Sequence, residues 1–359
     1  MTETFYRNDE SPLNPSDLKV ETKNTTVALL VEMLESDLIE LQPAFQRKAG
    51  LWSEQKQREL IESIALQLPL PSFYFYVDAK RKKWIVIDGL QRLTALKSFF
   101  VENNMLVEGL EIVKSLNGRR YSDLSFFERT SLKIFPVTLN VISGNVSPFA
   151  VSLIFKRVNS SGTPLSPAEV RNALFQGSAT RLIQEMIELP AFIRLVSNNI
   201  DTDRMTDRDY ANRFLAFLLG SYEDYSDSMD LFLSDAMKFI NSLPESSTQA
   251  ILGKFSASLN FCESLLGADA FRLPKLNSKE RKHPVSKAMF DMLTVSFAHL
   301  SEYQKHLILK NKAFFVREYQ LKLSSPQFRK SFASNMATTA NIRLRFETIE
   351  SLLKSFSRQ

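Results

Sequence analysis

WIVIDGLQRLTALKSFF, residues 84–100, joins two kinds of sequence at one point. Trp84 to Ile87 is an apolar, β-branched run, and Leu93 to Phe100 is apolar at helical spacing, so a strand turns directly into a helix. Asp88, Gly89, Gln91 and Arg92 occupy the junction. Such a turn sets polar side chains at the open end of a sheet and exposes N–H groups of the helix's first turn, which favour anions. Gly89 permits a positive-φ turn and a close ligand approach. Arg92 offers a planar fork of donors suited to phosphate, and Thr94 adds a hydroxyl. Asp88 has three uses there: holding Mg²⁺, accepting a proton from water, or fixing Arg92. The plainer alternative is that Asp88 caps the helix and pairs with Arg92 on the surface, because the Lys and Gly spacing of a P-loop is missing.

The flanking sequence extends this strand–helix unit in both directions. Residues 1–24 read as a flexible lead-in. Thr26 is placed to cap a helix with Val27, Leu30, Val31, Leu34, Leu38 and Leu41 on one face, ended by Pro43. Ala44 to Arg47 is expected to be extended, and Ser53 to cap a second helix that stops at Pro69. SFYFYVD is an aromatic strand whose sheet neighbour is WIVID, across the basic turn AKRKK. A short helix is expected near SDLSFFERTSLK. IFPVTLNVI is a further strand, put at a sheet edge by Pro136. Beyond about residue 147 strand signals stop. Helices are expected at 147–158, 166–176, 179–188, 206–220, 226–241, 247–266, 285–323 with breaks, and 339–356. The fold class is therefore α+β, divided into a lead at 1–24, a small sheet domain at 25–145 and an all-helical domain at 146–359.

Composition agrees with a soluble chain. Of 359 residues, 28 are Phe and only 10 Gly, which points to a well-filled, largely helical interior. No apolar run reaches the roughly 20 residues of a spanning helix, and the polar start lacks a signal-peptide layout, so a cytoplasmic location is expected. A lone cysteine, Cys262, excludes an intrachain disulfide and sits in an apolar helical context that favours an inert thiol. Net charge is +5, with a basic surplus in residues 272–331. Lys279, Arg281, Lys282, Lys310 and Lys312 are the candidates for a nucleic-acid face, against a merely solvated helix surface.

Two further polar clusters accompany the junction. QPAFQRKAGLW supplies Gln46 and Arg47, and IFKRVNSSGTPLSPAEVRNALFQG supplies Arg157 and Asn159 with Arg171 and Asn172. In the second, Ser166, Pro167 and Glu169 read as a capping box, which accounts for them structurally. The string PAFQR…LW…LIESIALQLPLPSFYFY…WIVIDGLQRLTAL, followed by IFKRVNSSGTPLSPAEVRNALFQG, resembles the family typified by the N-terminal half of the GmrSD restriction endonuclease. The likeness covers roughly residues 25–180 and rests on several motifs in order. Asp88 to Arg92 resembles that family's Asp-Gly-Gln-Gln-Arg motif, and Pro43 to Arg47 its proline–aromatic–Gln–Arg segment.

The resemblance implies a ParB/sulfiredoxin-like core that binds, and hydrolyses, a nucleoside triphosphate with Mg²⁺ in a phage-defence setting. Carried over, Asp88, Gln91 and Arg92 are the catalytic residues, with Asp88 the Mg²⁺ ligand. Gln46, Arg47, Gly89, Thr94, Arg157 and Asn159 bind nucleotide or phosphate. Leu90 departs from the pattern, replacing a Gln. The HNH nuclease usually fused behind this module needs histidines beside metal ligands. His283, His299 and His306 are scattered, so no HNH site is expected and a separate nuclease or effector subunit is implied. A homo-oligomer is compatible with the surplus of amphipathic helices. The competing readings are a non-enzymatic DNA-binding or adaptor protein and a ParB-like DNA nuclease. DTDRMTDRDY, 201–210, lacks the glycine and terminal Glu of a calcium loop and reads as a salt-bridged helix entry.

Overall fold

The computed structural model describes residues 19–41, 52–78, 82–144, 154, 166–275 and 282–357. The chain divides at Leu165/Ser166 into two compact units, one built on a mixed sheet and one helical. The α+β class, with no strand among the described residues of the C-terminal part, is thus as expected.

The sheet unit contains β1 (Lys19–Thr26), α1 (Val27–Glu35), β2 (Ile39–Glu40), α2 (Glu54–Ala65), β3 (Phe73–Asp78), β4 (Lys83–Asp88), α3 (Leu90–Leu96), α4 (Phe126–Lys133) and β5 (Pro136–Ser143). The strand order is β1-β5-β3-β4-β2. β1–β5 and β3–β4 pair antiparallel, and β3–β5 and β2–β4 parallel. The aromatic strand carries alternate Phe73 and Phe75 into the core, as the period of two demands. Its pairing with the WIVID strand is as expected. Leu30, Val31 and Leu34 of α1 and Leu60, Ile61 and Ile64 of α2 complete the same core. The Glu62 carboxylate, buried, accepts the N–H groups of Ile112 (2.9 Å) and Val113 (2.8 Å), which ties a long connection to α2.

Three expectations about this unit are corrected. Residues 19–24 are strand rather than lead-in: β1 runs in register along β5 from Lys19↔Ser143 to Thr26↔Pro136. As an edge strand it stays exposed over most of its length, so no hydrophobic alternation marks it. α1 ends at Glu35 rather than running to Pro43. Asp37 adopts φ +54, the Leu38 N–H returns to Met33 O (2.9 Å), and the Leu38 carbonyl accepts Trp84 N (2.9 Å). Leu38 thereby leads into β2 instead of another helical turn. Finally, Pro136 lies at the first residue of β5, an interior strand, where a missing N–H costs least; it does not mark an edge.

The helical unit follows the expected periodicity closely. Its helices include Pro167–Leu174, Ser178–Ile187, Thr206–Leu219, Met229–Ile240, Glu245–Leu266, Lys287–Ala298, Glu302–Lys310, Lys312–Ser324 and Thr339–Ser357. Two short helices opened by proline, Pro190–Leu195 and Pro326–Lys330, were not expected. The helix expected at 147–158 lies outside the described residues, apart from Ile154, which is helical. Phe192, Phe214, Phe255, Phe271 and Phe290 pack edge-on or tilted in the centre, which is where much of the phenylalanine content is used. Cys262 is fully buried among them, and burial pushes its thiol far above the ordinary range. The helix entry at DTDRMTDRDY is salt-bridged: Asp209 accepts Arg171 (2.5 Å) and Lys287 (2.5 Å).

Candidate functional site

The site expected between strand and helix lies at the C-terminal end of β4. Register along β3 is regular from Asp78↔Lys83 to Phe75↔Val86 and then slips, so that Tyr74 faces Asp88 and Ile87 is extra. Such a bulge bends a strand and re-aims the side chains after it. Ile85, Val86 and Ile87 are consecutively buried, and the carboxylate of Asp88 emerges 37% exposed. Gly89 follows at φ +100, ψ 8. A Cβ there would lie 2.5 Å from Phe73 Cδ1 and 3.3 Å from an Arg92 nitrogen, so both conformation and space require glycine.

Arg92 does not reach outward. It is 7% exposed, with its guanidinium 4.5 Å from the centroid of the Phe73 ring. Nη1 donates to Pro71 O. Nη2 donates to Ser72 O (3.2 Å) and to Asp88 Oδ2 (3.0 Å). Burial holds this guanidinium below its usual value, an effect Asp88 partly offsets. Of the three uses open to Asp88, the structure contains the pairing with Arg92, in which the guanidinium is buried and the carboxylate stays partly exposed. Asp88 is also not the helix cap, since that position belongs to Gly89 and no side chain caps α3.

Gln91 Oε1 accepts the Trp52 N–H (3.2 Å), linking the first turn of α3 to the residue before Ser53. Ser53 itself caps α2 by accepting Lys56 N (3.3 Å). Thr94 donates to Leu90 O (2.9 Å), one turn back along its own helix, so its hydroxyl is engaged there. Among the predicted site residues the structure therefore brings together Asp88, Gly89, Gln91 and Arg92. Gln46, Arg47, Arg157 and Asn159 lie outside the described residues. Phe73 and Trp52, which support Arg92 and Gln91, were missed; no spacing in the sequence marks either as part of the junction.

Arg171, left open by its sequence context, is buried in the helical unit between Asp209 and Asp230 (2.7 Å). The Ser166–Glu169 capping box is present, with Ser166 Oγ accepting Glu169 N (3.1 Å). Of the candidate nucleic-acid face, Lys282 pairs with Asp269 (2.7 Å) and Lys312 donates to Ser264 O (2.6 Å), whereas Lys310 is exposed. Lys279 and Arg281 lie outside the described residues. Among the described residues no group of three or more His, Cys, Asp or Glu is placed to hold a metal ion, and no helix is long and apolar enough to cross a membrane.

Residues 30–176 match a known family model, "GmrSD restriction endonuclease, N-terminal domain". No curated protein and no solved structure matches the chain.

Proposed function

We propose that the chain is a component of a restriction system whose sheet unit binds and hydrolyses a nucleoside triphosphate to regulate a separate effector. Support comes from the family match over residues 30–176 and, above all, from one piece of geometry. A bulge at Ile87, a left-handed Gly89 and a buried Arg92 together hold a half-exposed carboxylate, Asp88, at the sheet's end. A lone acid on a surface needs no such support.

In this reading Asp88 is the catalytic residue that accepts the proton of the attacking water. Arg92 is a positioning residue: its donors go to Pro71, Ser72 and Asp88, and phosphate charge is left to Arg47 and Arg157, with Gln46 and Asn159, as the family resemblance implies. Gln91 keeps its amide N–H₂ for the ligand while its carbonyl holds Trp52. A single carboxylate does not cage a metal, but it suits Mg²⁺, which is commonly held by one or two carboxylates and the phosphates themselves. When bound, the ion would neutralise phosphate charge.

The test is phosphate release from each ribonucleoside triphosphate with Mg²⁺. Asp88→Asn keeps an acceptor for Arg92 and should lower release by about a hundredfold, the lower end of what a general base supplies, with the fold retained by circular dichroism. Release that persists unchanged in a folded Asp88→Asn variant removes this assignment. A DNA-binding or adaptor role is less well supported, because Lys282 and Lys312 have partners within the chain. It predicts steeply salt-dependent DNA affinity.

A further inference from the structure

The helical unit holds a cavity of about 430 Å³, within the range of small-molecule sites. Its apolar wall includes Phe217, Tyr222 and Phe346. The Tyr222 and Phe346 rings stack at 4.8 Å and 3°, and Phe217 lies 5.3 Å from Phe346. The helix Thr206–Leu219 ends at this cavity, with Phe217, Leu218 and Leu219 all lining it. Lys287–Ala298 ends there too, contributing Val295 and Ser296, with His299 and Leu300 just beyond. The C-terminal end of a helix carries its negative pole, and two such ends border this cavity. Glu350 adds a carboxylate.

Several polar groups stand at or behind the wall. Ser296 is 7% exposed, and its Oγ has no hydrogen-bond partner. Gln304 joins the wall from the next helix while its Oε1 accepts Ser301 N (2.9 Å). Glu350 accepts the Tyr222 hydroxyl. Its cationic neighbour Lys354, which also lines the cavity, is 3.7 Å away and 72% exposed, so water screens the pairing.

We propose that this cavity is a second ligand site, taking a small aromatic amidine or amine. The flat body would lie among the rings, and the donor-rich cationic head would meet the helix ends and Glu350. Aromatic faces attract cations as well as apolar surface. The site shares no residue with the β4–α3 junction and is independent of the nucleotide reading.

Benzamidine is the probe, titrated calorimetrically into the full chain, with benzyl alcohol and benzoate as the neutral and anionic controls. Saturable benzamidine uptake is expected, with benzoate at least about tenfold weaker. Glu350→Gln, at a half-exposed position, should fold normally and weaken benzamidine by about tenfold, the value of one charge-assisted contact. Leu300→Trp adds bulk to the wall and should abolish uptake. No saturable benzamidine uptake, equal binding of benzoate, or undiminished binding by either folded variant would overturn the proposal.

Discussion

Gly89 is where one residue decides most. Alanine there must adopt φ +100 and push its Cβ against the Phe73 ring. Strain of this kind costs roughly 1–3 kcal/mol before any repacking, so Gly89→Ala should lower the denaturant midpoint of the sheet unit and disturb Asp88 together. Cys262 supplies the opposite case. Fully buried, with its thiol pushed up by desolvation, it should resist a thiol reagent in the native protein and react at once in denaturant; fast native labelling would contradict its placement. That Asp88 could fix Arg92, four residues on, was legible at the strand–helix junction. The burial of Arg92 was not, because Pro71, Ser72 and Phe73 lie about twenty positions away and only the sheet brings them under the guanidinium.

At the scale of elements, capping was the most readable signal. Ser53 and Ser166 each cap the helix their position announces, Ser125 caps α4 without having been singled out, and Thr26 stands at the start of α1 with no side-chain cap hydrogen bond. Ser166→Ala should cost about 1 kcal/mol, read as a lower melting temperature of the helical unit. The Ser125 cap carries a pH dependence. Hydrogen bonds from Arg119, and then from the Ser125 hydroxyl and N–H, hold Glu128 down to about 2 from an ordinary value of 4.5. A depressed carboxylate stabilises the fold above its unfolded pKa and loses that contribution as pH falls through the folded one. Stability of the sheet unit should therefore drop between about pH 4.5 and 2, and less so in Glu128→Gln. Strand ends were less readable. β1 is polar because both its faces stay exposed over most of its length, and α1 stops at Glu35 because β2 must pair with β4.

On the scale of the whole molecule, the helical unit carries charge inside its core. Arg213 Nε lies 3.0 and 2.9 Å from the two oxygens of Asp291, and both residues are buried. Arg345, also buried, donates to Ser331 O (2.5 Å) and Met336 O (2.6 Å). Removing one member of a buried pair strands the other, at about 3–5 kcal/mol. Asp291→Ala should thus destabilise the helical unit severely in a chemical melt, whereas Asp291→Asn, which keeps an acceptor, should cost less. No periodicity foretells these contacts, since Arg213 and Asp291 come from different helices and Arg345 meets carbonyls outside its own helix.

The sequence by itself determined the class of the protein, the order of most helices, the β4–α3 junction and the likeness of residues 30–176 to the GmrSD N-terminal domain. These follow from local physics: apolar spacing, caps, proline, and short motifs read in order. Only the tertiary structure decided that β1 joins the sheet, that β5 is interior, that Arg92 faces inward beneath Asp88, and that two helix ends meet at a cavity. Those outcomes depend on which distant segments pack together, and burial and electrostatics are set by such neighbours rather than by the residue's own place in the chain.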